Sequence, residues 1–388
     1  MKLRRAPIAA SAMLACLALA TPLRAADKPV ELGAEVTVDV VGVAKGGADH
    51  RARVLSNVDL TAALDLEALA GWSGARAFVY VLDNHGLRPN DAAGKLEGVN
   101  NIEVPKAGTR LFEAWVEQDL GRGASLRVGL YDLNSEFYAT DSSAVLMAPP
   151  FGIGSEFAAT GRNGPSIFPC SALAARLYVP VGDDDAFIRF AVLGAKAQTL
   201  GDPGGIDLQF GDGLLFVGEV GEAKGSTRLT LGGWGYSRGS LNAYLIGPDG
   251  EPVRKPSFGA YAMFEHDLLA RDDRKLTAFV RAGLSNKDAA PFRGALQTGV
   301  LLAPALAGRP DSLFSVGFHQ SWTSRSFRAA GRANGMIPAN EQGIEVTYAD
   351  KILPWLALQP DVQWVRHPGG DERAPAGVIL SLRTTASF

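Results

Sequence analysis

Two kinds of side chain alternate along most of this chain. In Glu31–Val43, Leu32, Ala34, Val36, Val38 and Val40 take one face while Glu31, Glu35, Thr37 and Asp39 take the other. The same pattern returns in Arg53–Asp65, with Val54, Val58, Leu60 and Leu64 opposite Asn57, Asp59 and Thr61. It returns again in Leu111–Leu120, with Phe112, Ala114, Val116 and Leu120 opposite Glu113, Trp115, Glu117 and Asp119. Period-two alternation marks strands, because successive Cβ atoms point to opposite faces, and each face here meets a different surrounding. Carried along the chain, it predicts sixteen strands at about 31–43, 53–65, 75–84, 111–120, 124–133, 172–181, 186–196, 213–223, 226–236, 256–267, 274–285, 292–302, 312–323, 341–350, 355–366 and 376–388. The third, eighth and twelfth alternate least cleanly, and Pro360 removes a ladder donor from the fifteenth.

The connections alternate too. Gly121–Gly123, Gly182–Asp185 and Lys351–Pro354 are tight turns, as is the link between the eighth and ninth strands, whereas about 85–110, 134–171, 197–212, 237–255 and 324–340 are longer. Short turns on one rim, long loops on the other and an even strand number describe a transmembrane antiparallel β-barrel with both termini on the short-turn side. On that reading the loops at 90–105, 200–210 and 330–338 reach the outside. A two-sheet sandwich also alternates, but sixteen long strands with so few helical stretches are unusual for one. The last strand alternates Val378, Leu380 and Leu382 up to a terminal Phe388, a pattern similar to the end signal read by the barrel-assembly machinery.

Residues 1–25 read as an export signal: Lys2, Arg4 and Arg5, an apolar run from Ala6 to Ala20, and a small-residue exit at Leu23-Arg24-Ala25. Residues 26–388 then form one domain, with no linker or low-complexity tract to divide it. Without the four basic residues of the signal, 34 Lys and Arg face 41 Asp and Glu, a balance of −7 that argues against nucleic acid as a partner. Cys170 is the one cysteine left, which excludes an intramolecular disulfide and a cysteine metal cluster. No H-E-x-x-H occurs and the five histidines are scattered, so no metal, cofactor or catalytic centre is expected. His319 with Ser321 or Ser315 in an outer-membrane hydrolase is the enzyme alternative, and it lacks an acidic orienter nearby in sequence.

Tyr131–Pro169 breaks the alternation. Gly152, Gly154, Gly161 and Gly164 punctuate it, and Phe137, Tyr138, Phe151, Phe157 and Phe168 alternate with polar groups. A loop that buries aromatics must fold back on a scaffold. On the wet faces of the strands, acceptors (Asp59, Glu113, Glu117, Glu219, Asp361, Gln363), donors (Arg127, Arg176, Arg189, Arg228, Arg281, Arg383) and aromatics (Trp115, Tyr131, Tyr178, Trp234, Tyr236) line the interior. Phe258, Phe264, Phe314, Phe318, Tyr348 and Trp364 fall on the lipid side.

Several stretches taken together resemble the OprB family of carbohydrate-selective porins: Phe112–Gln118 (FEAWVEQ), Val128–Phe137 (VGLYDLNSEF), Phe151–Gly154 (FGIG), Gly161–Ser166 (GRNGPS), and Trp355–Trp364 (WLALQPDVQW) with Pro368-Gly369-Gly370. The resemblance implies a sixteen-stranded outer-membrane barrel, narrowed by inward-folded loops, through which mono- and small oligosaccharides diffuse. From the wet strand faces and the loop at 131–169, the inferred lumen and constriction residues of the solute path are Glu113, Trp115, Glu117, Arg127, Tyr131, Asn134, Glu136, Arg162, Asn163, Arg228 and Trp234. A general or otherwise solute-selective porin is the alternative on the same fold. Carbohydrate solutes, outer-membrane lipid and the assembly machinery, through Phe388, are the expected partners.

Overall fold

The computed structural model describes residues 28–182, 185–271, 274–286 and 290–388, and the predicted export signal at 1–25 lies outside them. Its strands are β1 (Val30–Lys45), β2 (Arg53–Asp65), β3 (Ala75–Gly86), β4 (Gly108–Gly121), β5 (Ala124–Tyr131), β6 (Ala172–Val181), β7 (Ala186–Gly194), β8 (Leu214–Lys224), β9 (Thr227–Tyr236), β10 (Ser240–Ile246), β11 (Pro252–Lys255), β12 (Phe258–Arg271), β13 (Arg274–Ser285), β14 (Phe292–Ala303), β15 (Leu313–Thr323), β16 (Glu341–Leu353), β17 (Leu356–Arg366) and β18 (Gly377–Ser387). All but β10 and β11 join in one closed antiparallel barrel in which sequence neighbours pair and β18 returns to β1. These sixteen are the strands the alternation predicts. The β10–β11 hairpin lies inside the predicted loop at 237–255, where the alternation predicts no strand.

Closure is a matter of register. Val36 pairs with Ala386, Val40 with Leu382, and the Phe388 amide donates to Ala34 O at 2.9 Å, so first and last strands share a full ladder. Pro360 keeps its place beside Leu382 of β18. On its other side the β16 ladder skips from Thr347↔Asp361 to Asp350↔Leu358, where proline has no N–H to give.

The barrel is inside-out relative to a soluble protein. Val40, Leu60, Val128, Leu177, Ile188, Leu231, Phe264, Val280, Ile344, Val362 and Leu380 stand exposed on its outer surface. Asp39, Asn57, Glu117, Arg176, Glu219, Arg281, Gln297 and Asp361 are buried within it. A sandwich would bury the first set and wet the second, so only a surrounding hydrocarbon phase accounts for this partition. Phe258, Phe264, Phe314 and Trp364 are on the exposed side, as the alternation requires.

One rim carries the connections 46–52, 87–107, 132–171, 195–213, 237–257, 286–291, 324–340 and 367–376, and the other carries 66–74, 122–123, 182–185, 225–226, 272–273, 304–312 and 354–355. Two of the second set are longer than a tight turn. Residues 66–74 hold a short helix, α1 (Leu66–Ala70), whose first amides are capped by the Asp65 carboxylate. On the long-loop rim, α2 (Asn90–Ala93) lies in the second loop, α3 (Ser155–Ala158) in the third and α4 (Arg325–Ala333) in the seventh. Ser324 caps α4, whose Phe327 packs edge-on against Tyr244 of β10, 5.4 Å between ring centres, so the fifth and seventh loops meet.

Candidate pore constriction

The third loop (132–171) folds into the barrel. Phe137, Tyr138, Phe151 and Phe157 are all but inaccessible there. Three of them are set against wall rings: the Tyr138 ring stacks on Tyr261 of β12 at 3.9 Å and 4°, and Phe157 stacks on Trp234 of β9 at 4.8 Å and 3°. Phe151 meets Phe279 and His319 edge-on. Such ring pairs add about 0.5–1.5 kcal/mol each beyond their burial.

Polar pins fix the backbone between these rings. Arg281 of β13, buried completely, donates to Tyr138 O and Gly152 O at 2.8 Å each, to Ser143 Oγ at 2.9 Å, and to Phe151 O. Glu219 of β8 accepts from the Tyr138 amide and the Tyr261 hydroxyl, both at 2.7 Å, and is paired with Arg189. Glu265 of β12 accepts from the Ser142 amide and hydroxyl, and Glu345 of β16 from the Met147 and Ala148 amides. Room for the loop comes from glycines on inward strand positions. A Cβ at Gly317 would stand 2.5 Å from the Phe151 ring, and one at Gly283 would overlap the Glu156 carboxylate.

The second loop (87–107) also enters the barrel. Asn100 donates to Asp39 of β1 at 2.6 Å, Gln363 of β17 donates to Val99 O at 2.9 Å, and the Leu96 amide donates to Glu341 of β16 at 2.8 Å. The Asn101 amide donates to Met147 O at 2.9 Å, which joins the two loops. Glu97 lies 2.8 Å from His319 and accepts from Ser155. Against the upward push of burial, those two contacts hold its carboxyl below the usual value. The expectation that 90–105 reaches the outside is therefore corrected: Ala92, Ala93, Lys95, Val99 and Asn100 are buried against strands whose polar side chains satisfy them, whereas most of 200–210 and 330–338 stays exposed.

Seven of the residues singled out from sequence come together on the β4–β6 wall with the start of the third loop. Arg127 of β5 donates to Glu117 of β4 at 2.7 Å, and Arg76 of β3 reaches the same carboxylate at 3.1 Å. Arg176 of β6 bridges Glu117 (3.1 Å) and Glu136 (2.8 and 3.0 Å) and donates to Ser125. Tyr131 also donates to Glu136. Burial pushes the Glu136 carboxyl up, but Arg127, Arg176 and Arg189 outweigh it and hold the group at about 2. Glu113 accepts from Trp115 Nε1 at 3.1 Å and from the Asp132 amide at 3.3 Å. The result is a strip of alternating charge running from wall to loop.

The aromatic members of that set point inward without offering open faces. The Arg127 guanidinium covers Trp115 at 3.8 Å, Tyr131 is 1% exposed, and Phe157 covers Trp234. Asn134 stands beside the strip and clasps the loop by donating to Phe137 O and Gly152 O. Arg162 and Asn163 lie apart from it, towards the long-loop rim, where Arg162 pairs with Asp212 at 3.1 Å and Asn163 donates to Ala197 O. Arg228 lies near the opposite rim, beside the turn at 225–226. On the β18–β3 side, Arg383 donates to Asp39 and to Asn101 Oδ1 at 2.6 Å, while Glu35, Thr61 and Arg76 keep part of their surface open to the lumen.

The model of the family described as "Carbohydrate-selective porin, OprB family" matches residues 49–388. The chain belongs to this family. Among solved structures, the barrel is similar to a high-pH structure of OprB from Pseudomonas putida, at TM-score 0.81 and 18% identity, covering 93% of this chain and 95% of that one. A low-pH structure of that protein is similar at TM-score 0.58 and 16% identity, covering 93% of each chain. An anion-selective porin from Comamonas acidovorans is similar at TM-score 0.56 and 13% identity, covering 92% of this chain and 99% of that one. No match was found among curated protein sequences. At these identities the solved structures establish the fold. This OprB-family chain is an outer-membrane porin, a channel for carbohydrates.

The role of the second loop escaped sequence reasoning, because 87–107 has neither aromatics nor periodicity. Its anchors, Asp39, Glu341 and Gln363, lie on three separate strands. The glycines that approach it, Gly47 and Gly370, lie in other loops: a Cβ there would stand 2.6 Å from Ala92 O and 3.0 Å from the Leu96 side chain.

Proposed function

We propose that mono- and small oligosaccharides cross this porin between the third loop, held to one wall by the buried strip of Glu117, Arg127, Arg176 and Glu136, and the β18–β3 side, where Arg383, Asn101, Glu35, Thr61 and Arg76 keep surface open to the lumen. The observation that carries the reading is that the third loop brings its own carboxylate, Glu136, onto the arginines of the wall. A permeating sugar then meets the donors and acceptors of the open side, Arg383 and Arg76 beside Glu35, Thr61 and Asn101. Each hydroxyl exchanges a water bond for a protein bond of similar strength, so passage is favourable without trapping the solute. A small ion meets opposite charges side by side and gains little from either sign. Asp39 and Asp59, buried behind that side, hold the Arg383 guanidinium and the Tyr80 hydroxyl in place. Catalysis has no part in this reading: the His319 imidazole faces Glu97 and the Phe151 ring in the packed loop interface.

The reading is tested in planar bilayers with the purified porin. Glucose and maltose should reduce single-channel current in a saturable manner, and Arg383→Gln should weaken that block more than it changes conductance. Ion currents that no sugar reduces would make this chain a general diffusion porin.

A further inference from the structure

Towards the short-turn rim, beyond the point where residues 141–143 lean on the wall, a half-open cavity lies between the third loop and strands β9, β12, β13 and β14. Its polar lining is Asp141, Ser142, Arg228, Glu265, Lys275 and Thr277, and its apolar side is Leu301 with Ala303. None of these residues belongs to the alternating strip described above.

The arrangement departs from what the strand register alone would produce. Arg228 and Glu265 are opposed across β9 and β12, the usual placement of a cross-strand ion pair. Glu265 is instead taken by the loop, accepting from the Ser142 amide at 3.1 Å and the Ser142 hydroxyl at 2.5 Å. Among the described residues the Arg228 guanidinium is left with no ion-pair or hydrogen-bond partner. Beside it, Asp267 accepts from both Lys275 (3.0 Å) and Thr277 (2.9 Å), which orients their side chains along the wall. Asp141 is exposed at the mouth of the cavity.

We propose that this cavity is a second hexose-binding subsite, on the exit side of the constriction and in series with it. The inference rests on the carbohydrate-porin reading. The fork of N–H groups on Arg228 matches two neighbouring sugar hydroxyls, Asp141 and the Thr277 oxygen accept from others, and Leu301 offers a surface for the apolar face of a pyranose. The two cations of the cavity are offset by Asp141, Glu265 and Asp267, so the chemistry favours a neutral polyol over an anion.

The test is glucose block of single-channel current, with sugar added to one side at a time, for wild type, Arg228→Gln and Thr277→Val. Each variant is first checked as a folded, heat-modifiable barrel. Arg228→Gln should slow glucose association from the short-turn side about fivefold, as expected for one charge-assisted contact to a solvated ligand, and leave association from the long-loop side unchanged. Wild-type crystals soaked in glucose should show a hexose against Arg228 that Arg228→Gln crystals lack. Equal association from the short-turn side in wild type and both variants, or an empty cavity in soaked wild-type crystals, overturns the subsite. No glucose block of wild type from either side overturns the sugar-path reading, and the subsite with it.

Discussion

Arg281 offers the sharpest perturbation of the seated loop. Its guanidinium, buried on β13, supplies hydrogen bonds to three loop carbonyls and one loop hydroxyl. Arg281→Met keeps the apolar stem and most of the volume but removes every donor. A buried acceptor left bare costs about 1–3 kcal/mol. Lumen water would take up part of that loss, so the seated state should lose about 3–5 kcal/mol, in line with other cases where one partner of a buried charged contact is removed. At about 1.4 kcal/mol per factor of ten, the ratio of seated to unseated loop falls by roughly two to three and a half orders of magnitude. The strand ladder is untouched, so the barrel should still form and run as a heat-modifiable band. Planar-bilayer recording should show conductance about doubled or flickering between levels, because the loop narrows a barrel that is otherwise a wide aqueous channel. Limited proteolysis should cut between Tyr138 and Phe157. A folded Arg281→Met barrel with wild-type conductance, quiet traces and an uncut loop would refute the reasoning.

Glu156 should make the loop sensitive to pH: burial pushes its carboxyl up to about 7, so the neutral form is favoured in the folded state and stability falls as pH rises from about 4.5 to 7. Glu156→Gln should therefore raise the melting temperature at pH 8 and leave it unchanged at pH 4, as measured by heat-modifiability in detergent. Glu136 has the opposite sign: held at about 2, it contributes stability above about 4.5 that is lost as pH falls towards 2, and Glu136→Gln should abolish that acid-side dependence. Gly317→Val should cost about 1–3 kcal/mol by overpacking, since even its Cβ would stand 2.5 Å from the Phe151 ring and 2.6 Å from Leu146, and conductance should rise as the loop is displaced. Deleting Phe388 should lower the yield of folded barrel in cells, where the terminal aromatic that lies against Trp355 (6.4 Å between ring centres) is proposed to engage the assembly machinery.

The barrel was legible because each strand carries its own pattern: Val36, Val38 and Val40 against Thr37 and Asp39 need no partner to be read. Even Pro360, a poor strand residue by propensity, costs the structure only an interruption on the β16 side. The β10–β11 hairpin was missed although Gly247-Pro248-Asp249-Gly250 is a strong turn signal, because its flanking segments are short and its pairing lapses between Asn242 and Ile246. The site was legible in part. Glu113, Glu117, Arg127 and Glu136 do meet, since three of them share adjacent strands in register and the fourth opens the next loop. The covering of Trp234 was not legible, because which loop ring lies over it depends on a contact between residues as distant in sequence as Phe157 and Trp234. The diversion of Glu265 from Arg228 to Ser142 is of the same kind.

The measurement that bears most directly on a sugar path narrowed by the third loop is liposome swelling with wild type and with a barrel whose loop is shortened between Ser142 and Thr160. Wild type should admit glucose and maltose faster than amino acids of similar size. The shortened loop, having lost the Glu265, Glu345 and Arg281 pins, should admit all of them faster and discriminate less, with single-channel conductance raised in parallel. If swelling rates, discrimination and conductance are the same in both, the third loop does not form the constriction, and its role in selecting sugars is contradicted.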